Sequence, residues 1–247
     1  MVILKALLYI LLSVLGLFLG MILLWALTGI IYSLTVTRKV YKKSTAFARF
    51  LGAFTTWGLC FFSRSYVKVI GKELIPEDTR FVYVANHRSR FDPMVVMYKL
   101  ARFRIAFISK PSNFKIPFFG KILRKMCFLE IDRYDPRAAM ETVNDAVDIL
   151  RSQDSSIGFY PEGTRSMDGQ LGPFHAFMFR IPHNAMVPVV VAVTYDTEQI
   201  AKRFPFPGGA RVTIKILGVL DQDFVSTHRP VEISEKVEAM IREELGQ

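Results

Sequence analysis

Acidic residues are missing from the first 70 positions of this chain of 247 residues. That stretch contains eight lysines and arginines, which leaves 24 of the 32 basic residues and all 22 acidic residues for the rest of the chain. The net charge of +10 therefore comes mainly from the N-terminal segment. Each basic side chain near an anionic bilayer surface contributes about 1 kcal/mol of attraction. We therefore expect a lipid bilayer with anionic lipids as a partner.

Cysteine is also scarce, since the chain has only Cys60 and Cys127. Their spacing excludes a disulfide framework and a zinc site, so each is expected to be a small buried residue of a protein facing the reducing cytosol. The sequence contains no cluster of metal ligands, and neither a metal nor another cofactor is predicted. No helix combines a basic face with a groove-reading motif, which argues against nucleic acid as a partner.

A long uncharged run is present instead, over residues 6–32. As a helix it would measure roughly 40 Å, against about 30 Å for the hydrocarbon core of a bilayer. The apolar region of a cleavable signal peptide has only about 7–15 residues. The run is followed by a basic link from Arg38 to Lys43, which should stay in the cytosol. We therefore predict a retained anchor in the cell membrane, entering one leaflet or spanning it, with the remaining domain on the cytoplasmic face.

A second apolar segment, residues 45–62, has the periodicity of an amphipathic helix. Its large aromatic residues fall within an arc of about 80°. One interpretation is a core helix of the globular domain, and the other is a helix that lies shallow in the bilayer interface. We predict residues 1–65 as a membrane anchor and residues 66–247 as an α/β domain. The predicted membrane-binding residues are Phe47, Phe50, Phe54, Trp57 and Phe61.

From about residue 66 the pattern alternates between strands and helices. A helix is predicted to begin at Asp135 and Pro136, with an apolar stripe along it, and another over residues 234–246. This alternation predicts a mixed α/β fold with a mostly buried sheet flanked by helices. The predicted strands cover residues 80–85, 104–109, 127–132, 156–160, 187–195 and 211–217.

His87 and Asp92 lie just after the strand that ends at Ala85. One interpretation is structural, with Asp92 capping the helix that begins at Pro93. The other is catalytic, because open α/β sheets place their ligands beyond the carboxyl ends of strands. A carboxylate that holds one imidazole nitrogen leaves the other free to act as a general base.

A second polar cluster follows the strand that ends at Tyr160. Gly163 allows close approach of a ligand, Thr164 offers a hydroxyl, and Arg165 offers a guanidinium suited to phosphate. Glu162 is placed to orient a basic group, and Arg133 follows a third strand. The alternative interpretation is a polar surface turn.

These segments together resemble a known family. "NHRSRFDP" (86–93) is similar to the Asn-His-x4-Asp signature of the glycerolipid acyltransferases, and "YPEGTRS" (160–166) to their Phe-Pro-Glu-Gly-Thr-Arg-Ser block. "SKPSNFKIPFFG" (109–120), "FLEIDR" (128–133) and "VPVVV" (187–191) resemble further blocks in the same order. Within the family, the chain is most similar to the bacterial enzymes that acylate lysophosphatidate.

The resemblance implies membrane-bound transfer of a fatty acyl group from acyl-CoA or acyl carrier protein to the free hydroxyl of lysophosphatidate, giving phosphatidate. By the same resemblance, His87 deprotonates the hydroxyl, Asp92 supports His87, and Arg133 with residues 162–165 binds the phosphate. Lys110 is a candidate for the oxyanion hole and is grouped with the residues that bind the phosphate. An acyl-enzyme is not expected, because no nucleophile elbow is present. Many members have lysine where this chain has His175. Two roles are open for His175, contact with a phosphate and packing, and we favour packing.

Other functions fit parts of the pattern. The same chemistry on another acceptor, such as glycerol 3-phosphate, another lysophospholipid or a lyso-aminolipid, would use the same base. A catalytically silent membrane scaffold would need only the anchor and its charges, and leaves the ordered motifs unexplained. A soluble hydrolase would need a nucleophile elbow or a metal site.

Overall fold

The computed structural model describes residues 2–37, 40–166, 169–203 and 209–247, so Arg38 and Lys39 of the predicted basic link lie outside the described residues. Seven strands form one sheet in the order β1-β7-β6-β2-β5-β3-β4. All neighbours are parallel except β6 and β7, which are antiparallel. The strands are β1 (Tyr66–Ile70), β2 (Val82–Ala85), β3 (Ile105–Ser109), β4 (Leu129–Glu130), β5 (Ser156–Phe159), β6 (Val189–Tyr195) and β7 (Arg211–Leu220).

Helices precede the sheet and flank it. Pro136 begins one of them, and the Asp135 side chain accepts hydrogen bonds from the first turn, as its sequence predicted. The described helices are α1 (Val2–Leu34), α2 (Ala46–Phe62), α3 (Asp92–Lys99), α4 (Pro111–Phe114), α5 (Phe119–Lys125), α6 (Pro136–Arg151), α7 (Arg180–Ala185), α8 (Glu198–Arg203), α9 (Gln222–Thr227) and α10 (Pro230–Leu245).

The centre of the sheet is buried on both faces. Every residue of β2 and β5 is buried, and in β6 only Tyr195 is partly exposed. Runs of this kind, rich in valine and isoleucine, are typical of strands covered by helices on both sides. The structure confirms the predicted mixed α/β fold with a mostly buried sheet.

Several elements differ from the predictions in their bounds, and one strand was not predicted. The edge strand β1 was not among the predicted strands, because five residues of alternating exposure are a weak pattern. The predicted strand over 127–132 is regular only at Leu129 and Glu130. Helix α10 begins at Pro230 rather than at residue 234, since proline is favoured in the first turn of a helix.

The two N-terminal helices pack side by side. The ring of Phe18 contacts that of Phe62 at 5.3 Å between centroids, and Tyr32 contacts Phe47 at 4.9 Å. The later residue of α1 contacts the earlier residue of α2, so the two helices are antiparallel. Residues Leu4–Leu34 have a mean hydropathy of 2.7 with none of the most apolar window buried, so α1 is long and apolar enough to cross a membrane.

Helix α2 faces the domain with its small and polar side. Ala48, Leu51, Gly52, Thr56 and Cys60 are buried. A methyl group at Gly52 would lie 2.6 Å from the sulfur of Met126, so glycine permits this close packing. The aromatic residues face outward, with exposed fractions of 61% at Phe50 and Phe61.

Candidate active site

The polar motifs meet at one edge of the sheet. Strand β2 is parallel to β5, β5 to β3, and β3 to β4. Their carboxyl ends therefore point the same way and deliver His87, Lys110, Arg133 and the loop 160–166 to the same edge.

His87 and Asp92 form a hydrogen-bonded pair. Imidazole Nδ1 lies 2.7 Å from Asp92 Oδ2, with the His87 side chain 20% exposed and that of Asp92 fully buried. The same carboxylate oxygen accepts the backbone N–H groups of Arg88 and Ser89 at 2.7 and 2.8 Å. Asp92 therefore holds both the ring and the loop that carries it, and Nε2 of the imidazole remains for a substrate.

The other oxygen of Asp92 accepts a hydrogen bond from the Thr197 hydroxyl. Thr197 precedes α8 and lies far from Asp92 in sequence, which is why no local pattern predicted it. The prediction that Asp92 caps α3 is wrong, because Asp92 is the first residue of that helix and Phe91 is the cap residue. Its carboxylate turns back to the preceding loop instead.

Aromatic stacking supports the imidazole. The ring of His87 lies parallel to that of Tyr160, with 4.3 Å between centroids and 10° between planes. Tyr160 stacks in turn on Phe107 of β3 at 5.5 Å. The phenol of Tyr160 is buried without a hydrogen-bond partner among the described residues, and burial raises its pKa well above the ordinary value.

Glu162 connects two loops. One carboxylate oxygen accepts the backbone N–H of His87 at 2.6 Å, and the other accepts that of Gly172 at 3.1 Å. The residue is 4% exposed. Burial raises the pKa of its carboxyl group, although the two hydrogen bonds act to lower it. The backbone carbonyl of His87 also accepts the N–H of Ser166 at 2.9 Å, so the two motifs are joined twice.

Gly163 lies against two potential cations. Its φ of +68° belongs to the left-handed region that glycine adopts without steric cost. A methyl group there would lie 3.2 Å from His175 Nε2 and 3.5 Å from Arg133 Nη1. The backbone N–H of His175 donates to the carbonyl of Pro161 at 2.9 Å, which holds the backbone of His175 beside the motif. His175 is exposed, so the structure does not support the packing role predicted for it.

The remaining predicted residues are open to solvent. Lys110, Arg133, Thr164 and Arg165 are all exposed. Within the ranges the structure covers, none of these four side chains has a hydrogen bond or ion pair to protein. The cationic groups of Lys110, Arg133 and Arg165 are therefore free to meet an anion. Over the same ranges no group of three or more His, Cys, Asp and Glu residues has the arrangement of a metal site.

A family model described as "Acyltransferase" matches residues 66–195, more than half of the chain. The chain belongs to this acyltransferase family. A Brassica napus protein named 1-acyl-sn-glycerol-3-phosphate acyltransferase BAT2, chloroplastic, is 36% identical over 131 residues, 53% of this chain and 37% of that protein. A Borreliella burgdorferi protein named 1-acyl-sn-glycerol-3-phosphate acyltransferase is 27% identical over 154 residues, 62% of this chain and 61% of its own. The matches thus span only about a third to three fifths of these relatives.

The fold has a counterpart among solved structures. The crystal structure of the 1-acyl-sn-glycerophosphate acyltransferase PlsC from Thermotoga maritima aligns with a TM-score of 0.64 and 23% identity. The alignment covers 90% of this chain and 88% of that one, so it includes much of the N-terminal helical segment as well as the α/β domain. At this identity the likeness concerns the fold.

Proposed function

We propose that the protein transfers a fatty acyl group from an acyl thioester to the free hydroxyl of lysophosphatidate, which gives phosphatidate. The hydrogen bond between His87 and Asp92 at 2.7 Å, beside unpaired cations at the same sheet edge, is the observation that carries this proposal. The names of the relatives support the reaction class and the acceptor.

In the proposed mechanism, Nε2 of His87 takes the proton of the acceptor hydroxyl as the oxygen attacks the thioester carbonyl carbon. The C–O bond forms, the C–S bond breaks, and the departing thiolate receives the proton from the imidazolium. Asp92 holds the tautomer that leaves Nε2 unprotonated and stabilises the charged ring. The donor is acyl-CoA or acyl carrier protein, and the reaction requires no acyl-enzyme.

The phosphate of the acceptor is proposed to bind between Arg133, Arg165 and Lys110, beside the backbone of Gly163 and Thr164. A phosphate monoester favours guanidinium groups, which offer paired N–H donors. We include His175 in this set, because its Nε2 and Nη1 of Arg133 both lie close to Gly163. Glu162 is proposed as a positioning residue that keeps the loop of His87 against the phosphate-binding loop.

The protein is proposed to work at the cell membrane, with residues 1–65 as the anchor and residues 66–247 as the catalytic domain on the cytoplasmic face. The exposed apolar surface of α1 and the outward aromatic residues of α2 support this arrangement. The acceptor resides in the bilayer, whereas the carrier of the acyl donor is soluble in water. A shallow aromatic helix would let the acceptor reach the site from one leaflet.

The test is acyl transfer by the purified full chain in vesicles, with labelled lysophosphatidate and a panel of acyl thioesters. Labelled phosphatidate is expected, and His87→Ala should abolish it while the melting temperature is retained. Arg165→Ala should raise the KM for lysophosphatidate. Arg151→Ala, at the exposed last residue of α6, serves as the control and should leave the KM unchanged. Absence of product with every donor, or equal rates on acceptors without a phosphate monoester, would contradict the proposal.

A further inference from the structure

Residues 115–118, between α4 and α5, form a short loop in which every residue is exposed to solvent. Ile116 is 46% exposed and Phe118 is 44% exposed, and Lys115 and Pro117 beside them are also exposed. Large apolar side chains grouped in this way usually mark a surface that contacts another apolar phase. This 115–118 loop is separate from α1 and α2 in the sequence.

The local backbone holds the loop outward. Gly120 lies so close to α4 that a methyl group there would be 2.2 Å from the carbonyl oxygen of Phe114. Its N–H donates to the carbonyl of Ile116 at 3.0 Å, which closes the loop tightly. Phe118 has a φ of +60°, an uncommon conformation for an aromatic residue. Such a conformation persists where the surrounding structure enforces it.

Basic residues predominate in the sequence around the loop, although Arg124 is ion-paired with Glu130 at 3.0 Å. From residue 110 to residue 129 the sequence contains five basic residues and no acidic residue. Lys115 is exposed and Lys121 is partly exposed, so both can approach anionic headgroups while the apolar side chains lie deeper. The charged basic residues in this stretch are Lys110, Lys115, Lys121, Arg124 and Lys125.

The loop is continuous with the apolar N-terminal helices. Helix α5, which follows it directly, packs on both α1 and α2. The side chain of Ile122 lies 3.9 Å from where a methyl group at Gly29 of α1 would be. On its other side the loop follows α4, which begins one residue after Lys110 at the carboxyl edge of the sheet. Along the chain, the loop therefore connects a helix that packs on α1 and α2 to the segment that begins at Lys110, at the carboxyl edge of the sheet.

We propose that the 115–118 loop is a second membrane contact, inserting Ile116 and Phe118 into a bilayer with anionic lipids while Lys115 and Lys121 meet the headgroups. This inference rests on the proposed function at a membrane. It adds an orientation, because a contact at this position turns the catalytic edge of the sheet toward the lipid that holds the acceptor.

The test is a depth measurement on the full chain in vesicles of phosphatidylcholine and phosphatidylglycerol. A spin label is attached to Phe118→Cys or Ile116→Cys, and its collision rates with oxygen and with a water-soluble nickel complex are compared. Cys60 and Cys127 are buried, and burial raises the pKa of the Cys127 thiol to about 11, so labelling is directed to the introduced cysteine. Leu15→Cys on α1 is the lipid reference and Val231→Cys on α10 the water reference.

Labels at positions 116 and 118 are expected to collide more often with oxygen than with the nickel complex, as the label at Leu15 does. When Lys115 and Lys121 are both replaced by Glu, the collision rate with the nickel complex should rise. Water-like accessibility at both positions, equal to that at Val231, would overturn the inference. Acyl transfer is measured in the same samples. Normal transfer with a water-exposed loop refutes this inference alone, and a lipid-buried loop without transfer refutes the proposed reaction alone.

Discussion

The carboxylate of Asp92 accepts four hydrogen bonds at the sheet edge. Its two oxygens accept hydrogen bonds from His87, from the backbone of Arg88 and Ser89, and from Thr197. An amide at this position would turn an N–H toward donors and lose the charge that stabilises a protonated imidazole. The role of Asp92 is therefore electrostatic as well as positional.

We expect Asp92→Asn to reduce kcat by about 100-fold or more, because general-base catalysis contributes about that factor. The rate of labelled phosphatidate formation measures it, alongside the melting temperature. Asp223→Asn, at an exposed position of α9, is the matched control. A folded Asp92→Asn protein with an unchanged rate would contradict the proposed role.

Tyr160 occupies a motif position at which phenylalanine is usual in the glycerolipid acyltransferases. Its hydroxyl is buried and has no partner among the described residues, while its ring stacks on His87. We expect Tyr160→Phe to stabilise the protein by about 1 kcal/mol, since an unpaired buried hydroxyl costs roughly that much, and to keep activity.

Tyr160→Leu is the companion variant, because it removes the ring as well as the hydroxyl. It should lower both the melting temperature and kcat. Loss of activity in Tyr160→Phe with an intact fold would instead assign a catalytic role to the hydroxyl.

At the scale of elements, Asp154 joins the N-terminal segment to the α/β domain. Its carboxylate accepts the backbone N–H and hydroxyl of Ser44 at 2.9 and 2.8 Å, and pairs with Arg49 at 3.0 Å. Burial opposes its ionisation, but hydrogen bonds from Ser44 and Ser155 and the charge of Arg49 outweigh it and lower the pKa of Asp154 to about 2.

A lowered carboxyl pKa stabilises the fold above the unfolded value near 4, and this stabilisation is lost as the pH falls toward 2. We expect Asp154→Asn to lower the free energy of unfolding by about 2 kcal/mol at pH 7, from the difference between 3.8 and about 2. The loss should shrink as the pH falls from 4 to 2, which thermal unfolding in detergent can follow.

Asp148→Asn is the control for this prediction. Asp148 pairs with Lys42, but the side chains are 44% and 57% exposed, so solvent screens the pair and the expected loss of stability is small. A loss for Asp154→Asn that does not depend on pH would show that shape rather than charge holds α2 in place.

At the scale of the whole molecule, the aromatic side of α2 faces away from the domain that its other side covers. Phe50, Phe54 and Trp57 form a row of ring contacts, with 6.1 and 5.7 Å between successive centroids. A helix with one aromatic side and one side packed on the domain is suited to lie between a protein and a bilayer.

Replacing Phe50, Phe54 and Trp57 by serine should reduce transfer to vesicle-embedded lysophosphatidate far more than it reduces binding of a soluble acyl thioester. The rate on vesicles and the thioester dissociation constant provide the comparison, with Val231→Ser as the control for an exposed apolar residue elsewhere. Equal losses in both measurements would argue that α2 supports only the fold.

Much of the architecture was predictable because it depends on neighbours in sequence. The buried runs of β2 and β6 and the cap at Asp135 are short patterns with direct structural meaning. The edge strand β1 was missed because it is short and pairs only with β7, more than a hundred residues later. For Asp92, a helix cap and a carboxylate that reaches back to His87 share one sequence pattern, and the structure shows the second.

By itself, the sequence determined the α/β class, the membrane-like character of the first helix, the ordered acyltransferase motifs and the closeness of His87 to Asp92. Each follows from composition or from residues a few positions apart. Only the tertiary structure decided that Thr197 donates to Asp92, that Glu162 joins two loops, and that His175 lies beside Gly163. These contacts join distant segments, and they exist because parallel strands bring their carboxyl ends to one edge of the sheet.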